Sequence, residues 1–368
     1  MKICYIAPAN NVHTTRWLHA FVEQGCQVHL ITLPEEQALI KGVQVHRLPD
    51  GPHIIRFLKW IGAARAILQQ VHPDVLHGHY LTRYGWLAAC TFFSPLVLTA
   101  WGSDIYLTPH QSPFWRWLTT WSLRRAELVT VDAADLRQAV IRFGVRAERV
   151  CLVQWGVDLG VFHPDLNTSI LREQLHVQDK LIILSTRNLM PIYNQETIIR
   201  ALPAVLAQVP NTVLILKYRF YDDSYIARIR TLVQNLGLEH AIRWVGPDET
   251  ATNAHDDMAM YYAMADVFVS VALSDSTPVS LLEAMACGAA PVIGDLPALH
   301  EWIDHKQNGY LVPPTDAEAL GRAITDLLVH PEQRAQWAHI NRQIVQERAN
   351  HWSEMARMKK LYENLGSS

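Results

Sequence analysis

The sequence predicts an α/β protein of two doubly wound domains, each a parallel sheet with helices on both faces. Apolar runs of strand length alternate with segments of helical period along most of the chain. The β-α-β order repeats in two series, and parallel strands joined by helical crossovers place helices on both faces of a sheet. The 368 residues suffice for two cores of ordinary size.

In the first series the strand candidates are Ile3–Ala7, Val28–Thr32, Val43–Leu48, Val75–His77, Leu96–Ala100, Leu128–Val131 and Val150–Val153. Helical periodicity lies between them near 13–24, 53–71, 81–90, 112–125 and 133–142. In the second series the strands are Leu181–Ser185, Val213–Leu216, Ile242–Val245, Val267–Val271, Pro291–Ile293 and Gly309–Leu311, with helices near 194–208, 222–236, 254–263, 278–286, 297–303 and 316–329. The boundary falls in the Gly-, Pro- and Asn-containing stretch from Gly156 to Asn167. The domains expected are 1–160 and 161–345. The tail has a continuous helical pattern over 331–364 and no strand left to pair with. Its last part, 346–368, is expected to pack back toward the N-terminal domain. In open parallel sheets ligands bind beyond the carboxyl ends of the strands, and two such sheets facing each other make a cleft for a donor and an acceptor.

An apolar fraction of 49% and a charged fraction of 18% describe a globular chain, and a net charge of −3 gives no reason to expect nucleic acid as a partner. Residues 1–165 carry 15 Lys+Arg against 12 Asp+Glu (+3), and the remainder 17 against 23 (−6). The mildly basic first half is compatible with an anionic acceptor or a membrane surface. The five cysteines are far apart and lack metal-ligand spacing, which points to reduced, buried thiols in a cytosolic protein. The chain opens on a strand without the pattern of a signal peptide, and no run of about 18 apolar residues occurs. The expected location is cytoplasmic, at most peripheral at the inner face of a membrane.

No GxGxxG follows the first strand; the loop reads Ala9-Asn-Asn-Val-His13-Thr-Thr-Arg16, which weakens a dinucleotide-dehydrogenase reading. The segment richest in chemistry is Ser274-Asp275-Ser276-Thr277-Pro278-Val279-Ser280-Leu-Leu-Glu283-Ala-Met-Ala-Cys-Gly288. It follows an apolar strand, with Thr277 the expected N-cap and Pro278 the expected first helical residue. The free N–H groups of such a turn can hold a phosphate. Glu283 lies three residues beyond Ser280 and four beyond Val279, so it shares their face and can accept two ribose hydroxyls. Asp275 can reach hydroxyls of a sugar beyond the phosphates. Plain helix capping by Asp275 or Thr277, with Glu283 on the surface, accounts for the same residues.

The run resembles the E-x7-E donor motif of family 4 retaining glycosyltransferases, with Asp275 and Glu283 in the acidic positions. Ala265-Asp266-Val-Phe-Val269, Glu301 within Leu299-His-Glu-Trp-Ile303, and Asn308-Gly-Tyr-Leu-Val-Pro313 are similar to that family's wording. Gly156-Val-Asp158 with Phe162-His-Pro164 resembles its domain-junction signature. His77-Gly-His79 and Leu98-Thr-Ala-Trp-Gly-Ser-Asp104 resemble its acceptor-side loops. The resemblance spans essentially the whole chain. It implies the GT-B fold of two Rossmann-like domains and a nucleoside-diphosphate sugar donor; UDP is taken ahead of GDP as the expectation, a choice the resemblance does not make. It implies a hydroxyl-bearing acceptor (glycan, lipid-linked or small molecule) and front-face substitution with retained configuration. Acceptor-side candidates are His13, His79, Trp101 and Asp104. The nucleotide base is expected near Val245-Gly246-Pro247.

The departures are specific. Arg187 is present for the leaving diphosphate, but Tyr193-Asn194 occupies the usual Lys-Gly place. Lys217 or Arg219, at the end of the neighbouring strand, is the candidate replacement cation; surface ion pairs with Asp222 or Asp223 are the plainer alternative. Trp101 stands where many members have a His. No Asp-x-Asp or His/carboxylate cluster points to a metal, and no cofactor is expected. A non-catalytic sugar-nucleotide-binding protein, an epimerase and an inverting transferase remain open. Two aromatic–basic stripes, Phe114/Trp117/Leu118/Trp121 and Ile54/Phe57/Leu58/Ile61, suit either a core face or a membrane interface.

Overall fold

The computed structural model describes residues 1–36, 39–50, 53–247 and 258–366, with only the backbone for 53–55. The chain divides into two compact units, residues 1–155 with 351–368, and residues 156–350. These limits differ by five residues from the sequence-derived limits at 160 and 345.

Unit 1 holds strands β1 (Lys2–Ile6), β2 (Gln27–Thr32), β3 (Val43–Arg47), β4 (Val75–His79), β5 (Leu96–Thr99), β6 (Leu128–Val131) and β7 (Val150–Leu152). They form a sheet of order β3-β2-β1-β4-β5-β6-β7, all pairings parallel. The central strands are buried on both faces, as parallel strands under helices require. Its helices are α1 (Val12–Glu23), α2 (His53–Val71), α3 (Trp86–Cys90), α4 (Ser103–Tyr106), α5 (Pro113–Arg125), α6 (Ala134–Arg142) and, from much later in the chain, α14 (His351–Gly366). Asn11 starts α1 by accepting from the His13 amide at 2.8 Å. Ser112 does the same for α5 from Trp115 at 3.2 Å, with Pro113 in the first turn.

Three expectations for this unit need correction. The helix expected over 81–90 is regular only from Trp86, because Thr82 and Arg83 have non-helical dihedrals. The Leu81 amide is drawn instead to the Asp104 carboxylate at 2.8 Å, a tertiary bond that no local pattern encodes. The stripe on α5 is not a core face: Leu118 is buried, but Phe114 and Trp117 are 57% and 59% exposed, and the helix packs through Leu118, Thr119, Ser122 and Leu123. On α2 the inward side chains are Trp60, Ala64, Leu68 and Val71, while Leu58 is exposed and the Ile54 side chain lies outside the described residues.

Unit 2 holds β8 (Leu181–Ser185), β9 (Thr212–Lys217), β10 (Ile242–Val245), β11 (Val267–Ser270), β12 (Ala290–Gly294) and β13 (Tyr310–Val312), in the order β10-β9-β8-β11-β12-β13, again parallel. Around it lie α7 (Ser169–Gln174), α8 (Gln195–Gln208), α9 (Asp223–Asn235), α10 (Met258–Met264), α11 (Val279–Ala286), α12 (Ala317–Val329) and α13 (Pro331–Arg348). Phe268, Leu281, Leu282 and Met285 are fully buried between sheet and α11, each worth about 1.5–3 kcal/mol of transfer free energy. Helix α7 was not legible in the sequence. The expected 297–303 helix is a 3-10 turn over Pro297–Glu301 that carries the half-buried Glu301. The beginning of the 254–263 helix lies outside the described residues.

The tail is not one continuous helix. It breaks at Ala349–Asn350, where the Val157 amide donates to the Ala349 carbonyl at 2.8 Å, so α13 belongs to unit 2 and α14 to unit 1. All five thiols are free; Cys4, Cys26 and Cys287 are buried, whereas Cys90 and Cys151 are only half-buried.

Candidate functional site

In unit 2 the sequence-flagged residues converge on the carboxyl ends of three adjacent strands. Ser185 pairs with Leu216, and Leu184 with Phe268, so the segments leaving β8, β9 and β11 start side by side. Arg187 follows β8. Its Nη2 lies 2.8 Å from Asp275 Oδ2, its Nη1 donates to Ser280 Oγ at 3.3 Å, and its Cζ sits 4.3 Å from the centre of the Tyr193 ring. The guanidinium is therefore held by a carboxylate, a hydroxyl and an aromatic face. Gln195 steadies the segment from within, donating to the Arg187 carbonyl at 3.2 Å and accepting from Ser185 Oγ at 3.2 Å.

The departure at Tyr193-Asn194 acquires a physical meaning here. Asn194 adopts φ 52°, ψ 46° at the start of α8, a left-handed geometry that glycine tolerates best and asparagine next best. Its amide is fixed by the carbonyls of Pro314 (2.7 Å) and Val271 (3.3 Å). Tyr193, in the usual lysine place, presents its ring to Arg187 rather than a second charge.

Lys217 ends β9. The surface ion pair considered for it is not what forms: the residue is 5% exposed and its Nζ lies 4.4 Å from the centre of the Tyr261 ring. Arg219 is exposed, with its guanidinium 5.4 Å from the Phe220 ring. Asp222 instead caps α9, accepting from the Tyr225 amide at 2.8 Å. Gly246, just past β10, admits a close approach: a Cβ there would lie 2.2 Å from the Tyr218 ring, so the Val245-Gly246-Pro247 turn is packed against an aromatic face.

The α11 entry differs from the expected cap by one residue. Pro278 is the N-cap (φ −73°, ψ 118°) and Val279 the first helical position. Proline offers no side-chain acceptor, and the Thr277 hydroxyl, one place before the cap, accepts from Trp302 Nε1 at 3.1 Å. The amides of Val279 and Ser280 have no acceptor within the helix, as at any helix start, whereas Leu281 donates to the Pro278 carbonyl at 2.9 Å. Ser276, Thr277 and Glu283 are all buried, not on the surface. Glu283 reaches the Tyr262 hydroxyl, which also lies 3.1 Å from Thr186 Oγ1; burial first, then the Glu283 charge, push the Tyr262 hydroxyl well above its ordinary value. Burial raises the Asp275 carboxyl, with Arg187 opposing the shift. Asn308, also flagged by resemblance, is a structural anchor: it exchanges 2.9 Å hydrogen bonds with Asn341.

In unit 1 three of the acceptor-side candidates meet beyond β4 and β5. Trp101 and Trp155 lie edge to face at 5.0 Å; His13 is 5.3 Å from Trp155 and His79 5.6 Å. Trp155 was missed in the sequence, although its place just past the last strand of the series was a usable signal. His79 is 1% exposed, and neither ring nitrogen has a hydrogen-bond partner among the described residues. Burial pushes it down to about 3, so it is a neutral ring. His77 is buried as well, its Nε2 2.6 Å from Thr99 Oγ1 and its Nδ1 against the Tyr362 hydroxyl of α14.

Asp104 does not present its carboxylate outward. It is fully buried and accepts from the amides of Leu81 (2.8 Å) and Trp101 (3.0 Å), fixing the loop that carries Trp101. Burial pushes its carboxyl up to about 6, against the pull of those amides. A carboxyl that holds its proton more tightly when folded contributes stability that is fully present below its unfolded value near 3.8 and is lost as the pH rises through about 6. The unfolding free energy of wild type minus that of Asp104→Asn should therefore fall by about 2 kcal/mol between pH 4.5 and 7. Urea melts across that range check this; a difference independent of pH would contradict it.

Comparison with known proteins agrees with both halves. Residues 2–133 match the family model described as Glycosyl transferase 4-like, and residues 167–344 the model described as Glycosyl transferases group 1. The D-inositol 3-phosphate glycosyltransferase of Jonesia denitrificans is 24% identical over 339 residues, covering 82% of this chain and 78% of that protein. The GDP-mannose-dependent alpha-(1-6)-phosphatidylinositol monomannoside mannosyltransferase of Mycolicibacterium smegmatis is 30% identical over 183 residues, 49% of this chain and 47% of that one. Among solved structures, Anabaena HepE in complex with UDP-glucose superposes with a TM-score of 0.83 at 20% identity, covering 99% of this chain and 100% of that one. The sucrose-phosphate synthase of Thermosynechococcus elongatus gives 0.81 at 22%, over 100% and 99%. With two doubly wound sheets and family matches on each, the chain belongs to the family 4 glycosyltransferases and has the GT-B fold.

Proposed function

We propose that the protein transfers a glycosyl group from a nucleoside-diphosphate sugar, UDP-linked in preference to GDP-linked, to a hydroxyl acceptor with retention of anomeric configuration. The observation that carries this reading is the convergence of Arg187, Lys217 and the start of α11 on adjacent strand ends, with the buried Glu283 on the same helix. That arrangement suits a diphosphate followed by a ribose. The amides at the start of α11, those of Val279 and Ser280, and Arg187 take the phosphates. Glu283 accepts the ribose hydroxyls. Asp275 is placed to orient the sugar, and the turn at Gly246 receives the base. The UDP-glucose carried by Anabaena HepE supports a UDP donor; the mycobacterial relative's GDP-mannose is the reason to test GDP alongside it.

In the front-face reaction the bond from the anomeric carbon to the diphosphate oxygen breaks. The acceptor oxygen bonds to the same face of that carbon, and its proton passes to the leaving phosphate. The protein's contribution is positioning and stabilisation of the charge that grows on the diphosphate. Arg187 and Lys217 supply that charge complementarity without a divalent ion. The acceptor, whether glycan, lipid-linked or small, is selected in unit 1, where His13, Trp101 and Trp155 meet.

Thermal shift with UDP, GDP and ADP tests the nucleotide: UDP should stabilise most, and no shift with any of them would overturn the reading. Product from an α-linked donor should carry an α linkage by NMR; a β linkage would make the enzyme inverting. Glu283→Gln should weaken UDP binding by about 1–3 kcal/mol in calorimetry, the range for losing a charged hydrogen bond, and unchanged affinity would refute the ribose assignment.

A further inference from the structure

Unit 1 carries a row of aromatic rings on its surface that its core does not use. Phe92, Trp121, Trp117 and Phe114 follow one another at centroid spacings of 6.1, 6.4 and 6.1 Å. Three of them lie on α5 at positions i, i+3 and i+7, one stripe of the helix. Phe92, Phe114 and Trp117 are 59%, 57% and 59% exposed. Scattered exposed apolar residues are ordinary; a continuous row of large rings in water is not. Phe92 adds a second oddity. It sits in the α3–β5 turn at φ 61°, a conformation in which glycine or asparagine is usual and a bulky residue is an outlier. That backbone places the ring beside Trp121 instead of in the core.

The row is laced with cations. Arg125 holds its guanidinium 4.6 Å from the Phe92 ring and 5.9 Å from Trp121, and Arg65 of α2, which donates to the Thr91 and Cys90 carbonyls at 3.1 and 2.9 Å, lies 5.3 Å from the Phe92 ring. Arg116 and Arg124 are exposed on α5 but turn to Phe143, Arg116 lying 5.7 Å from its ring and Arg124 donating to its carbonyl at 3.3 Å; the helix contains no acidic residue. Beneath the row, Trp115 stacks on the buried Trp86 at 4.8 Å with a 4° interplanar angle, which fixes the helix to the unit.

We propose that this row is a docking face for an anionic phospholipid bilayer. Aromatic rings that lie flat on a surface suit the headgroup–acyl boundary, and guanidinium groups level with them meet lipid phosphates through paired N–H donors. The charge pattern selects this occupant over a second copy of the chain, because a self-facing pair would set Arg against Arg. The inference goes beyond glycosyl transfer and does not depend on the donor or the stereochemistry.

Sedimentation with vesicles of phosphatidylcholine containing phosphatidylglycerol tests it. The intact protein should partition at least about tenfold better than onto phosphatidylcholine alone, with the difference suppressed by high salt. The double substitution Phe114→Ser with Trp117→Ser should lower partitioning by about tenfold or more. Both side chains are exposed, so the thermal melting curve should stay as in wild type and show that the fold survives. A salt-insensitive partition equal on both vesicles, no partition at all, or a double variant that binds like wild type would overturn the proposal. So would light scattering that shows a dimer abolished by the same two substitutions, which would assign the face to a second copy of the chain.

Discussion

Replacing Arg187 with alanine should lower kcat/KM by roughly two to three orders of magnitude, about 3–4 kcal/mol of transition-state stabilisation. Arg187 is the best-oriented cation at the strand ends of unit 2. Asp275 at 2.8 Å, Ser280 at 3.3 Å and the Tyr193 face at 4.3 Å fix its guanidinium, so little side-chain freedom remains to be lost when a diphosphate arrives. Charge on the diphosphate grows as the glycosidic bond breaks, so a fixed cation favours the transition state over bound donor. Turnover should therefore suffer more than UDP binding, and uridine, which has no phosphate, should bind almost as before. The substitution also leaves Asp275 half-buried without its counter-charge, so the loop at 271–278 should lose stability as well. Arg187→Lys separates the two effects: it keeps a positive charge beside Asp275 but not the planar fork. Initial rates together with calorimetry on UDP and uridine check the set. Equal losses for UDP and uridine would show that Arg187 supports the fold and not the phosphates.

Replacing Lys217 with alanine should lower kcat/KM by roughly one to two orders of magnitude, about 1.5–3 kcal/mol. The ammonium lies over the Tyr261 ring at 4.4 Å and is almost sealed from water. A cation held in a medium of low polarity acts strongly on a nearby developing anion. Lys217→Met is the companion variant: it keeps the aliphatic stem against Tyr261 and removes only the charge, so a loss common to both is a charge effect. Turnover within about twofold of wild type, under roughly 0.5 kcal/mol, would leave Arg187 as the sole clamp and mean that the lysine missing at Tyr193 was not replaced.

The strands and their parallel order were readable because each is a short, nearly uninterrupted apolar run buried on both faces. Ile3 to Ile6, Ile182 to Leu184 and Val267 to Val269 show it plainly. Arg187, Lys217 and the α11 entry were readable as a group because in such a sheet anything just past a strand lies at its carboxyl end. What sequence could not supply was the partner of each group. The Thr277 hydroxyl reaches Trp302, 25 residues on, and the helix begins one residue later than the local pattern indicates. Asp104 turns inward to two amides, one of them at Leu81, and a spacing pattern cannot tell an inward carboxylate from an outward one. The α5 stripe failed for a related reason. Period shows that residues share a face but not which face the core takes, and here the small residues Thr119 and Ser122 face inward while Phe114 and Trp117 do not. The tail reads as one helix because a break imposed by the Val157 amide leaves no local trace.

That break has a consequence for the order in which the protein takes shape. Unit 1 is written in two pieces, with 195 intervening residues belonging to unit 2. A ribosome releases the seven strands of the first sheet long before α14. Until α14 arrives, the Tyr5 hydroxyl and His77 Nδ1 lack the Tyr362 hydroxyl that both meet in the finished unit. The apolar contact of Phe21 with Tyr362 is missing too. Unit 2 is continuous in the chain and can close as soon as it emerges. The half written first is thus the half finished last, and its sheet stays partly uncovered throughout synthesis, the interval in which a nascent chain most needs a chaperone.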